Sequence, residues 1–290
     1  MKKKIILFSG CLLVTIGCIV SFILAWVLKF NDYDIFLTIS SGLIGVLIPY
    51  DINFLIDLTD SLPWQTYLRK LVRLNLLKKN DTIRISYAYL FRIEVDGEYL
   101  LIKNSHGFNK YQPPGSTYSL SNKEKSFLKE KFLVKDDDRI LSKKIKDDYR
   151  LFVPIKYMKP FFKRFCYQID KVKTENYLNG FKHVLVDSNV LNHEIFSNVE
   201  FNYIRRDVSK IEYSKHFECY EMLLADIIEV KLNDKQIEEI RMMKNRTSVA
   251  EKYEFADEQL IKSCGVNTKV GDLYAEISEH TYKILPIVEE

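Results

Sequence analysis

The stretch Ile83-Arg84-Ile85-Ser86-Tyr87-Ala88-Tyr89-Leu90-Phe91-Arg92-Ile93-Glu94-Val95, followed by Asp96-Gly97 and Tyr99-Leu100-Leu101-Ile102-Lys103, decides the fold of this 290-residue chain. β-Branched and aromatic side chains fill it, a composition that suits a pleated, half-buried surface. Asp-Gly supplies the positive φ of a tight turn, so the segment reads as a strand, a turn and a return strand.

Working towards the C-terminus, Tyr111-Gln112-Pro113-Pro114-Gly115-Ser116 cannot continue a strand and reads as a loop. Ser121-Asn122-Lys123-Glu124 has the capping-box pattern and starts a helix running to Phe132. Residues 149–155 read as a strand, and 157–199 as mostly helical, with Thr174 as an N-cap and Phe181, Val184 and Leu185 on one face. Strands follow at 201–213 and 217–232, then helices at 234–244 and 256–264, the last stopped by Gly265. Antiparallel strands with a few helices give an α+β domain over residues 81–290, large enough for one core.

Working towards the N-terminus, residues 5–28 form an apolar run without a charge, and a second run covers 35–50. A charge-free stretch of about eighteen residues or more is long enough to cross a bilayer. The pair therefore reads as a two-helix transmembrane hairpin over residues 1–58, with Lys29-Phe30-Asn31-Asp32-Tyr33-Asp34 as its polar turn. A signal peptide, suggested by Lys2-Lys3-Lys4, has a shorter apolar region and a small-residue cleavage site, which residues after Leu28 do not provide. Asp51 reads as an interfacial residue ending the second span, in preference to one facing a partner helix. Lys and Arg flank the hairpin at Lys2, Lys3 and Lys4 and again at Arg69, Lys70, Arg73, Lys78 and Lys79, whereas Lys29 alone lies between the runs. The expectation is a multi-pass protein of a bacterial inner membrane with both termini cytoplasmic and the lipid bilayer as a partner.

Residues 59–80 read as a basic amphipathic connector, with Ser61 as N-cap and Arg69, Lys70 and Arg73 off the apolar sector of Leu68, Leu71 and Val72. The net charge of +4 is concentrated there and says little of other partners. Five scattered cysteines suit a reducing compartment and give neither a disulfide framework nor a zinc spacing. The chain has no GxSxG elbow, P-loop or HExxH motif to support other enzyme classes.

Several segments together resemble a known family. The string Ile85-Ser86-Tyr87-Ala88-Tyr89-Leu90-Phe91-Arg92-Ile93, then Gly97 to Lys103 and Tyr111-Gln112-Pro113-Pro114-Gly115, resembles the opening of a Nudix domain. Adding Arg205-Arg206-Asp207-Val208, His216-Phe217-Glu218-Cys219-Tyr220-Glu221, Ala225-Asp226-Ile227 and Ile277-Ser278-Glu279-His280-Thr281-Tyr282-Lys283-Ile284-Leu285, the chain is similar to the SMODS-associated Nudix-like family. That resemblance implies an effector of bacterial cyclic-oligonucleotide antiphage defence (CBASS), set behind two transmembrane helices. In it the Nudix-like domain binds a cyclic oligonucleotide second messenger and forms a homo-oligomer that drives the hairpins to disrupt the membrane, with no polymeric nucleic acid as partner.

A Nudix hydrolase carries clustered glutamates that hold Mg²⁺ against a diphosphate. The counterpart here, Tyr177-Leu178-Asn179-Gly180-Phe181-Lys182-His183-Val184-Leu185, offers none, and Glu175, Asp187 and Glu194 are spread apart. Lys and His do not replace carboxylates around a hard cation. The expectation is therefore a degenerate, non-catalytic domain with no cofactor, no metal ligands and no catalytic residues. The alternatives are a membrane-anchored pyrophosphohydrolase and a scaffold held by the hairpin.

A receptor for an anionic ring needs cationic donors and aromatic faces. The candidate ligand-binding residues are Arg205, Arg206, Tyr111, Gln112, Gly115, Lys103 and His216, with His280 and Tyr282 as possible wall residues. Adjacent strand residues face opposite ways, so at most one of Arg205 and Arg206 points inward.

Overall fold

The computed structural model describes residues 2–28, 33–59, 63–104, 109–137, 148–245, 252–266 and 271–287. The chain divides into two compact units, Met1–Leu76 and Leu77–Glu290.

The first unit contains α1 (Lys2–Leu28), α2 (Tyr33–Thr59) and α3 (Pro63–Arg73). Helices α1 and α2 pack against each other. Between them the Thr15 hydroxyl donates to the Asp51 carboxylate at 2.5 Å, both side chains being buried. Asp51 therefore turns to a partner helix rather than ending a span at an interface. Among the described residues, no helix is long and apolar enough to cross a membrane. The expected two-helix transmembrane hairpin, and the multi-pass inner-membrane localisation drawn from it, are corrected by that finding. Small and polar residues stand within both helices: Ser9, Gly10, Thr15, Gly17 and Ser21 in α1, and Asp34, Thr38, Ser40, Ser41, Pro49 and Asp51 in α2. The turn at residues 29–32 and the Ser61 cap lie outside the described residues.

The second unit is an α/β domain. Strand β1 (Thr82–Arg92) buries Ile83, Ile85, Tyr87, Tyr89 and Phe91 on one face and Arg84 on the other. Strands β2 (Glu94–Val95) and β3 (Glu98–Lys103) pair across Asp96-Gly97, both at positive φ, as the Asp-Gly turn requires. This hairpin is shorter than the sequence suggests, because β1 leaves it for another sheet. Strands β4 (Tyr111–Gln112) and β5 (Gly115–Thr117) flank the two prolines. Helix α4 (Asn122–Phe132) begins at Ser121, whose hydroxyl accepts from the Glu124 N–H at 3.3 Å. After β6 (Lys135–Asp136) and β7 (Arg150–Pro154), the long helix α5 (Met158–Phe181) runs on through a π-helical segment, Lys182–Val186. Thr174 lies inside α5 and is not an N-cap position, because the helix starts sixteen residues earlier, at Met158.

Strands β8 (Glu200–Val208), β9 (Glu212–Ser214) and β10 (Cys219–Lys231) follow, then α6 (Asp234–Lys244) under an Asn233 capping box. The helix expected at 256–264 is the short α7 (Glu258–Lys262), with Asp257 as N-cap; the first two residues of that range belong to β11 (Tyr253–Asp257). Phe255 and Tyr253 favour a strand, and it pairs with β3.

The larger sheet runs β6-β7-β1-β10-β8, with β5 also on β1 and β9 also on β10. Its central pair, β1 and β10, is parallel, with Tyr89 opposite Asp226. A purely antiparallel α+β arrangement is thereby corrected. β1 is buried on its odd-numbered face and half-buried, Arg84 apart, on the other, while the centre of β10 is buried almost continuously and reads as an apolar run. The smaller sheet, β11-β3-β2 with β4 on β3, packs its core with α7 and the C-terminal segment through Leu101, Ala256, Ile261, Ile277 and Ile284.

Candidate functional site

Helix α5 lies on the odd-numbered face of β1, where aromatic rings lock the two together. Tyr87 meets Phe165 at 3.9 Å between ring centroids, Tyr89 meets Tyr177 at 5.4 Å and Phe91 meets Phe181 at 5.5 Å. Two glycines permit the close approach. A Cβ on Gly180 would stand 1.9 Å from the Tyr89 hydroxyl, and one on Gly115 would stand 2.2 Å from the Tyr89 carbonyl oxygen. Tyr89 then donates to the Asn176 carbonyl at 2.8 Å, and Asn176 Oδ1 accepts from the Ser119 N–H and hydroxyl at 3.0 and 2.9 Å. These bonds tie α5 to the chain leaving β5.

The space they frame is a cavity of about 390 Å³. One wall is Tyr89 with Ser116, Thr117, Ser119 and Ser121; the facing wall is α5, through Gln168, Glu175, Asn176, Asn179 and Gly180; His183 stands on the π segment, and Tyr149 and Glu124 complete the lining. Wide π turns inserted in helices recur at functional sites. Most of the lining groups are neutral hydroxyls and amides. Glu124 does not close its capping box. Its carboxylate instead accepts a two-pronged bond from Arg164 on α5, at 2.9 and 2.6 Å. Thr117 donates to Asp148 at 3.0 Å, and burial raises the Asp148 carboxyl above its ordinary range against the pull of Arg150. Among the described residues, no three His, Cys, Asp or Glu side chains stand together as a metal-holding group.

Under α5, one strand further on, lies a buried polar cluster. Asp226 on β10 is fully buried and faces Arg206 on β8 directly across the ladder. Arg206 grips it with two bonds, 2.7 and 3.0 Å, and donates a third to Cys166 Sγ at 3.1 Å. Tyr87 and Tyr118 donate to the same carboxylate at 3.1 and 2.7 Å. Burial works against the Arg206 charge, yet the bond to Asp226 raises its affinity for the proton. Burial, reinforced by the Asp226 charge, pushes both tyrosine hydroxyls far up.

The sequence-derived candidates are dispersed. Arg206 is committed to Asp226, and Arg205 points the other way, donating to the carbonyls of Lys283 and Leu285, each at 2.7 Å. Lys103 is exposed at the end of β3, in register with Tyr111, whose N–H donates to the Glu276 carbonyl at 2.7 Å. Gln112 accepts from Asn104 at 3.0 Å. His216 stands in the turn between β9 and β10 against Phe217, and His280 and Tyr282 are exposed in the 3-10 turn Glu279–Ile284. Of the candidates, Gly115 alone touches the cavity region, through its neighbour Ser116. The lining residues Ser116, Ser119, Gln168 and Asn176 were not singled out from the sequence. Their signal was weak, a cluster of hydroxyls just after the Pro-Pro-Gly turn.

The sequence model of the SMODS-associated NUDIX domain matches residues 82–285. The chain belongs to that family. A search of the curated proteins and a search of the solved structures matched nothing. Membership in the SMODS-associated NUDIX family suggests a CBASS-associated effector domain, and a Nudix-like domain is compatible with nucleotide binding. The match spans the cavity, the Asp226 cluster and the C-terminal segment together.

Proposed function

We propose that the Leu77–Glu290 unit is a receptor for a cyclic-oligonucleotide messenger, which binds at the cavity between β1, β5 and α5 without being hydrolysed. The observation that carries this reading is the cavity itself. Its size lies in the range of small-molecule sites, roughly 300–1,000 Å³, and its lining is rich in hydrogen-bonding groups. The helix facing it presents Asn176, Asn179 and Gly180, with Glu175 as the single acidic residue of α5 on that wall. A diphosphate hydrolase would need several carboxylates there to hold its cation. Binding couples to assembly only through a difference in affinity between the separate and the assembled chains.

Calorimetry of the full-length chain against cyclic di- and trinucleotides tests the reading, with sedimentation velocity run on the same samples. Saturable binding with intact ligand recovered afterwards is expected, together with a larger sedimentation coefficient. Binding by no member of the panel removes the receptor reading. Metal-dependent cleavage of a dinucleoside polyphosphate to mononucleotides, abolished by Glu175→Gln, would establish a pyrophosphohydrolase instead.

A further inference from the structure

We infer that the cavity takes a nucleobase bearing an exocyclic amino group and leaves the phosphates of the ligand outside its mouth. This inference rests on the receptor reading above and assigns which end of the ligand enters. The charge of the lining carries it. Among the described residues that line the cavity there is no lysine or arginine, but there are two carboxylates, Glu124 and Glu175. Glu124 is neutralised by the two-pronged bond from Arg164, which occupies that guanidinium as well. A phosphate placed inside would meet hydroxyls, amides, the single imidazole of His183 and the Glu175 carboxylate. Phosphate sites are built from guanidinium forks, ammonium groups or converging backbone N–H groups.

A base meets the opposite situation. Tyr89 and Tyr149 give the lining its aromatic part, and the amides of Gln168 and Asn179 each offer a donor beside an acceptor. Side-chain amides pair with the adjacent donor and acceptor of an adenine edge, and carboxylates accept from exocyclic amines. Glu175 can accept from such an amine but has nothing to offer the carbonyl that uracil carries in its place. The volume points the same way. A cavity of about 390 Å³ sits near the small end of ligand sites, suited to one nucleoside and not to a whole ring of them.

The test titrates adenosine, 5′-AMP, uridine and inorganic tripolyphosphate into the full-length chain and into Asn179→Ala. Asn179 is exposed on a helix, where alanine is the better helix former, so this variant keeps its fold. Adenosine and 5′-AMP should bind with affinities within about threefold of each other, and uridine about tenfold or more weaker. Tripolyphosphate should give no saturable heat, and Asn179→Ala should weaken adenosine about tenfold without moving the melting temperature. Saturable binding of tripolyphosphate, binding of uridine equal to adenosine, or indifference to Asn179→Ala overturns the inference. If cyclic dinucleotides bind but adenosine does not, the base assignment fails and the receptor reading survives. If adenosine binds but no cyclic nucleotide does, the receptor reading fails and the base assignment stands.

Discussion

Replacing Arg206 by Met should destabilise the Leu77–Glu290 unit while leaving the cavity able to bind. Asp226 is fully buried, and Arg206 supplies its only cationic partner among the described residues, through bonds of 2.7 and 3.0 Å. Methionine keeps much of the packing under α5 but removes the charge. Asp226 would retain the Tyr87 and Tyr118 hydroxyls, which donate hydrogen bonds but cannot balance a buried carboxylate. Removing one partner of a buried pair costs about 3–5 kcal/mol. Because the two hydroxyls remain, the lower end applies, about 3 kcal/mol. Domains are stable by roughly 5–15 kcal/mol, so this is a large fraction of the whole. Urea unfolding of the full-length chain, followed by the change in midpoint at constant slope, measures it. The double variant Arg206→Met with Asp226→Asn should regain about half the loss, since a neutral amide needs no counter-charge. A loss below about 1 kcal/mol in the single variant, or no recovery in the double, would refute the reasoning. So would a loss of nucleotide binding with no loss of stability, which would make Arg206 a ligand contact after all.

Gly180→Ala should cost about 1–3 kcal/mol through overpacking, despite the better helix propensity of alanine, because its Cβ would collide with the Tyr89 hydroxyl. A melting temperature at or above that of the parent would show that the ring moves aside freely. Stability should also fall at alkaline pH. Burial pushes Tyr89 up to about 12, so its proton is held more tightly in the folded chain than in the unfolded one. Stability from this group is full below the unfolded value of about 10 and is lost as pH rises from there towards 12. Urea midpoints between about pH 8 and 11.5 should decline, and more shallowly in Tyr89→Phe; equal slopes would dismiss the role of Tyr89.

Much of the sheet was legible because its signals are local. The β-branched and aromatic content of β1, the Asp96-Gly97 turn and the Ser121 cap each specify an element within a few residues. The pairing of β1 with β10 was not, since nothing near Tyr89 announces Asp226. For the same reason Arg205 and Arg206 looked available. Their partners, the carbonyls of Lys283 and Leu285 and the carboxylate of Asp226, lie far along the chain. The helix at 256–264 was legible from Leu260 and Ile261, whereas β11 before it was not, because its partner β3 lies far along the chain. Of the cavity, the stretch around Asn179 was found by resemblance, while the opposite wall consists of serines and a threonine that look like any turn.

The parallel alignment of β1 with β10 also governs how the chain comes to be folded. Arg84 and Glu221, neighbours in the sheet, are separated by 137 residues of sequence. Contacts so distant along the chain are reached only after a large loop closes, which slows folding relative to chains dominated by local contacts. During synthesis, β1 leaves the ribosome with one apolar face and no central neighbour, and waits until β10 has been made. Over that interval Tyr87, Tyr89 and Phe91 have no finished sheet to join, so the nascent chain passes through a stage in which its future core is open to aggregation and to chaperones. Slower translation does not shorten that stage, because the missing partner lies ahead in the message.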